Sequence, residues 1–159
     1  MQTIHHEVWV RAVQDRVFDA FTTAGGIDAW WGKVVHAEPR VDSVIEFDHG
    51  LGAPFNMKVV DLVPGERSVW ECISEFSDPG NPASEWFGHR LTFALSAAVA
   101  RPGSAWMANR LFGIDSAEGI TILDFQHTGW DDSATWYPFC NAAWASALDA
   151  LKQSCETPG

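Results

Sequence analysis

In four successive segments after Gly32 the apolar residues recur at every second position: "KVVHAEP" (33–39), "SVIEFDHG" (43–50), "PFNMKVVDLV" (54–63) and "ERSVWECISEF" (66–76). A period of two is the pleat of a half-buried strand. The segments are separated by "RVD", "LGA" and "PGE", residue types that supply tight turns. Two further runs, "GHRLTFALSA" (88–97) and "GITILDFQHTG" (119–129), complete an antiparallel set. A sheet with one apolar face must bury that face against another layer.

The rest of the chain supplies the cover. Residues 3–10 alternate as a strand, with Ile4, His6, Val8 and Val10 opposed to His5, Glu7 and Trp9. Val17, Phe18 and Phe21 follow at helical spacing over 14–23, and Asp15 suits the first turn. Gly25 and Gly26 are expected to break that helix, and a second short helix over about 27–31 carries Trp30 and Trp31. Residues 134–155 predict a long helix whose apolar stripe is Trp136, Cys140, Trp144, Ala147, Leu148 and Leu151. The stretch 77–85 is a loop and not a domain boundary, because neither flank could close a core alone. Residues 98–118 are too long for a hairpin turn. A short helix over about 105–112 is expected there, with Ser104 as N-cap, Gly113 just past its end, and Met107 and Leu111 on one side. The reading is α+β: one domain over 1–159, with a curved antiparallel sheet of about six to seven strands wrapped around a long C-terminal helix, and two short helices after the first strand. A cavity between sheet and helix is the expected result, since one helix alone does not fill such a curve.

Composition narrows the function. The net charge of −11, with no Lys/Arg cluster, argues against nucleic acid and anionic membrane surfaces. The start "MQTIHHEVWV" lacks the pattern of a secretory signal, and no apolar run approaches the ~18 residues of a membrane span. Cys72, Cys140 and Cys155 are odd in number and widely spaced, which reads as free thiols in a reducing cytosol. Nine Trp and ten Phe stand against one Tyr. Such large rings pack imperfectly around one another, so they suit either an irregular core or a ligand-binding cavity.

The segment "VFDAFTTAGGIDAWWGK" (17–33) resembles the stretch that follows the first strand in the SRPBCC (START-like) superfamily, in the branch named for heat-shock-protein-90 ATPase activator homologues. "GHRLTFAL", "GITILDFQHTGW" and "WYPFCNAAWASALDALKQSCETPG" resemble the final strands and closing helix of the same branch. The likeness covers most of 3–97 and 119–158; the chain departs from it at 98–118, which reads as an insertion. The resemblance implies a helix-grip fold with an internal cavity for hydrophobic ligands. It implies no single activity, since members include lipid carriers, polyketide cyclases, hormone receptors and co-chaperones.

Strand parity nominates the cavity wall: Phe47 and His49, Met57, Trp70, His89, Leu91, Phe93, Phe125 and His127, joined from the closing helix by Trp136, Cys140 and Trp144. Ile45, Phe55, Val59, Cys72, Leu95, Leu123 and Leu148 share that parity, and His6 could join the histidines. Of the two adjacent indoles, Trp30 is expected to pack inward and Trp31 to lie at the rim, since neighbours cannot share a face. The expected function is binding of a small hydrophobic or aromatic ligand. Met107, Trp106 and Phe112 of the insertion would form a lid over it. One alternative is a cyclase/aromatase-like enzyme using His89 or His127 as acid or base; Asp124 and Glu71 are the nearest carboxylates, and their parity opposes it. Another is a chaperone-regulating or other protein-interaction module. Exposed Trp106, Leu111 and Phe112 would also suit a homodimer through 98–118. No cofactor and no metal are expected: the histidines lack ligand spacing, and "GLGAP" (50–54) fits a turn better than a phosphate cradle.

Overall fold

Strand β1 (Gln2–Val10) runs antiparallel beside the last strand, β7 (Thr121–Trp130), so the first and last strands of the sequence are neighbours in space. The structure, a computed structural model, describes residues 1–48 and 55–157. Between them in sequence come β2 (Val34–His36), β3 (Val44–Phe47), β4 (Phe55–Val63), β5 (Arg67–Cys72) and β6 (Arg90–Ala97). All pair antiparallel in one seven-stranded sheet of order β1-β7-β6-β5-β4-β3-β2. Register shifts in the β1–β7, β2–β3 and β4–β5 ladders accentuate its curvature.

Helix α4 (Tyr137–Glu156) lies inside the curve. Its buried stripe is Cys140, Trp144, Leu148, Leu151 and Cys155, a spacing of three and four that aligns them on one face. The helix starts three residues later than the apolar pattern suggests. Asp131 and Ser133 close a turn first, and the Glu85 carboxylate accepts from the backbone N–H groups of Thr135 (3.0 Å) and Trp136 (2.7 Å). Pro138 then sits in the first turn, where its missing N–H costs nothing.

Helices α1 (Gln14–Ala20) and α2 (Ala24–Asp28) bridge the sheet's open side. Gly25 and Gly26 lie inside α2 and do not break a helix, contrary to expectation. The break comes earlier. The hydroxyls of Thr22 and Thr23 donate back to the carbonyls of Phe18 and Asp19, and Thr23 Oγ1 then caps α2 by accepting from Gly26 N. Strand β5 ends at Cys72, four residues short of the apolar run, because its partner β6 begins only at Arg90.

The segment 98–118 forms α3 (Ser104–Phe112), with Gly113 left-handed at its end as expected and Gly103, not Ser104, at its start. It packs on the outer face of the sheet and is not a lid. Trp9 pairs with Ile122 across β1 and β7, and both point away from the side that holds Leu123. Ala108 seats α3 against them together with Ala117 and Ile120, flanked by Met107, Phe112 and Ile114. The helix rests on Ala108, with Met107 part-buried and Leu111 exposed beside it. Glu7 joins the two parts. It accepts from Trp9 Nε1 and from Arg101, and these bonds hold its carboxyl below the ordinary carboxylate range.

Candidate functional site

The space between sheet and α4 is occupied by rings. Phe21 stacks on Phe93 at 4.9 Å, Trp70 meets Phe93 at 4.7 Å, and Phe125 meets Trp144 at 4.3 Å. Met57 and Leu91 are buried in the same layer. Open space lies at one end of this core, as a groove of about 230 Å³ between α4, Phe55 and the 3-10 turn Pro82–Glu85. Its walls are Trp31, Phe55, Asn81, Pro82, Ala83, Trp86, Phe139, Cys140 and Ala143.

Trp31, half-buried, is the floor. Its ring stacks on Trp30 (5.5 Å) and on Trp70 (5.8 Å), and reaches Phe47 (4.8 Å) and Trp144 (5.1 Å). Trp30 instead is 8% exposed, and its N–H donates to the Ala20 carbonyl at 2.7 Å, so it locks α1 to α2 behind the groove. Of the residues nominated for the wall or sharing its parity, Cys140 and Phe55 line the groove directly; Phe47, Trp70 and Trp144 back its floor. Met57, Leu91, Phe93 and Phe125 lie deeper in the core. Trp136 stands beside the mouth, half-buried, with its N–H on the Pro79 carbonyl and its ring against Phe139. His49 lies outside the described residues.

The groove also contains residues that periodicity passes over. Asn81, Pro82, Ala83 and Trp86 belong to the stretch read as a loop and its end. The signal there was Asn81 immediately before Pro82, a cap followed by proline at the first helical position. Asn81 Oδ1 does accept from Ala83 N at 2.8 Å, which starts the turn that presents Trp86.

Behind Trp86 sits an imidazole pair. His89 Nδ1 and His127 Nε2 are 3.0 Å apart, and Trp144 Nε1 lies 3.1 Å from His127 Nδ1. The indole N–H can only donate, so His127 Nδ1 accepts. His127 Nε2 therefore carries the ring's one proton and donates it to His89 Nδ1, which leaves the His89 proton on Nε2. Burial pushes His127 down to about 2, with the neighbouring His89 adding to the effect. His89 is also lowered by burial, opposed by the charge of Glu85. The pair fits because Gly129 has no side chain: a Cβ there would stand 2.8 Å from His89 Cδ2.

Among the described residues no carboxylate hydrogen-bonds this pair to make an acid–base couple. Asp124 bonds His5 at 2.8 Å, Glu71 bonds Arg90, and Glu85 is engaged by the start of α4. His6 bonds the Asn141 carbonyl. Among the described residues no cluster of three or more His, Cys, Asp or Glu could hold a metal. Cys72, Cys140 and Cys155 are unpaired and buried, and burial raises all three thiols, Cys72 to about 11. No helix among the described residues is long and apolar enough to cross a membrane.

The same architecture recurs in solved structures. The Aha1 dimer from Colwellia psychrerythraea superposes with a TM-score of 0.73 at 24% identity, covering 98% of this chain and 97% of that one. Protein MLL2253 from Mesorhizobium loti gives 0.70 at 16% identity, over 96% and 95% of the two chains. CalU16 from Micromonospora echinospora gives 0.63 at 17%, over 95% and 74%. At these identities the likeness is one of fold. No curated protein matches the chain in sequence. Residues 11–156 match the family described as Activator of Hsp90 ATPase homolog 1-like protein. With nearly its whole length so matched, the chain belongs to the Activator of Hsp90 ATPase homolog 1-like family.

Proposed function

We propose that this protein binds a small apolar or aromatic molecule, seated in the groove with a ring face on Trp31. The observation that carries the reading is Trp31 itself. It is braced by Trp30, Trp70, Phe47 and Trp144, yet it remains half-buried in the wall of an opening. Apolar walls with few polar groups suit such ligands. The site so proposed lies at one end of the space between sheet and α4, with the residues nominated by parity as its backing. Acid–base catalysis draws less support, since the imidazoles bond each other and no carboxylate joins them. Three unpaired buried thiols accord with a reducing compartment such as the cytosol.

The test is a titration of ¹⁵N-labelled protein with naphthalene and with coumarin, following the indole N–H signals. Trp31 and Trp86 signals should shift saturably with at least one probe, and Ala143→Trp, which fills the groove from the exposed face of α4, should abolish the shifts. Native mass spectrometry of freshly purified protein would then name any natural cargo. Absence of a saturable shift with both probes sinks the proposal.

A second reading, self-association through 98–118, draws on Trp106, which is 68% exposed, with Val99 and Leu111 also exposed on that segment. The Colwellia protein of the same fold is described as a dimer. Sedimentation velocity should show a dimer that Trp106→Lys disperses; a monomer at high concentration rules it out.

A further inference from the structure

Resting on the groove reading above, we infer that the ligand presents a neutral hydrogen-bond acceptor, a carbonyl or ring nitrogen, to the indole N–H of Trp86. Five other indoles have their donors paired: Trp9 with Glu7, Trp30 with Ala20 O, Trp70 with Ser68, Trp136 with Pro79 O and Trp144 with His127. Trp86 Nε1 is buried and bonds no nitrogen or oxygen acceptor among the described residues; only the Cys140 thiol takes a hydrogen bond from its side chain, and the residue, 8% exposed, forms part of the groove wall. A buried donor left unpaired costs desolvation with no return, so native proteins satisfy such groups with water or a ligand. Trp130 Nε1 is also unpaired, but that ring is fully buried away from the groove.

The ring cannot turn to find a partner. It stacks on Trp144 at 5.9 Å, takes the His127 edge at 4.8 Å and packs against Phe55 at 5.8 Å. The acceptors nearby on the turn are already committed. Pro82 O faces the Cys140 thiol, and Asn81 Oδ1 receives Ala83 N–H. The Cys140 thiol, the one partner the indole N–H meets among the described residues, is only a weak acceptor. A stronger acceptor for Trp86 must then come from outside the chain.

Charge and size define it further. The protein carries −11, and Glu75 and Asp78 line the adjoining hollow that shares Asn81 and Pro82 with the groove. That field disfavours a carboxylate or phosphate and favours a neutral acceptor. A volume of about 230 Å³ is below the ~300–1,000 Å³ typical of drug-sized ligands, which points to a fused bicyclic aromatic and not a sterol or long acyl chain.

Naphthalene and coumarin share a bicyclic footprint, and coumarin adds a lactone carbonyl without a donor. Trp86→Phe keeps a ring and removes the N–H. The expected result is that coumarin weakens by about tenfold in Trp86→Phe while naphthalene weakens by less than about twofold. In the wild-type protein, which needs no variant to fold, coumarin should move the Trp86 Nε1–H signal downfield and slow its solvent exchange more than naphthalene does. Equal weakening of the two probes, or no selective effect of coumarin on that N–H, overturns the inference while leaving groove binding intact. Failure of both probes to bind the wild-type protein overturns the groove reading and this inference with it.

Discussion

His89, just ahead of β6, and His127 of β7 stand with Nδ1 of the first 3.0 Å from Nε2 of the second, and they form a neutral pair with one proton between them. A neutral imidazole pair inside a core makes stability depend on pH. His127 binds its proton near 6.5 in the unfolded chain and at about 2 in the folded one. Between those values the unfolded chain holds more protons, so stability rises with pH. The contribution is complete above about pH 6.5 and is lost as pH falls, at about 1.4 kcal/mol per unit. By pH 5.0 the loss from His127 reaches about 2 kcal/mol, and His89, lowered for the same reason, adds to it. Denaturant midpoints between pH 7.5 and 5.0 should fall accordingly, and the His127 ring signals should not titrate while the protein stays folded. A flat profile over that range contradicts the neutral pair.

Trp144→Phe should release the tautomer. With no indole donor at Nδ1, His127 can place its proton on either nitrogen, and a buried acceptor is left unpaired. Nitrogen-15 spectra of the imidazoles should change from one fixed Nε2–H form to a mixture, at a cost of about 2 kcal/mol or more. Unchanged ring-nitrogen shifts would show that Trp144 does not set the proton's place.

Gly129→Ala should damage the same pair from the backbone side. A Cβ would press on His89 Cδ2 at 2.8 Å and on His89 Cα at 3.2 Å, and the φ of +106° is one that L side chains rarely adopt. The expected loss is about 3 kcal/mol by chemical denaturation. A variant as stable as the wild type would mean that the imidazole and the strand can both yield.

Gly25 and Gly26 are neighbours in α2 and should respond oppositely to alanine. Nothing lies within 4 Å of a Cβ at Gly25, where alanine suits the helix and should gain about 0.5–1 kcal/mol. At Gly26 a Cβ would sit 2.1 Å from the Asp19 carbonyl oxygen and 2.9 Å from Ala20 Cα, both backbone atoms. Gly26→Ala should therefore cost more than about 3 kcal/mol. Thermal melts of the two variants check the pair, and a similar response at both positions would contradict the close crossing of α1 and α2.

Element type was readable because it depends on neighbours a few residues apart. Alternation in "FNMKVVDLV" and "RLTFALSA" foretold β4 and β6, and the spacing of Cys140, Trp144, Leu148 and Leu151 foretold α4. Boundaries were less legible where side chains compete with the backbone. Thr22 and Thr23 end α1 by bonding back to it, and Glu85 delays α4 from across the fold.

The sequence by itself determined the order of strands and helices, the inward parity of His89 and His127, and the aromatic wealth of the interior, since period and composition are local properties of the chain. Only the tertiary structure decided which of two adjacent indoles floors the groove, for that depends on the angle at which α2 meets the sheet. It also decided that the two histidines touch, through the pairing of Leu91 with His127 and the room left at Gly129. The side of the sheet taken by α3 was likewise set by contact between distant residues, Ala108 against the face that holds Trp9 and Ile122. Such choices rest on surfaces that exist only once the chain has folded, and no short-range pattern encodes them.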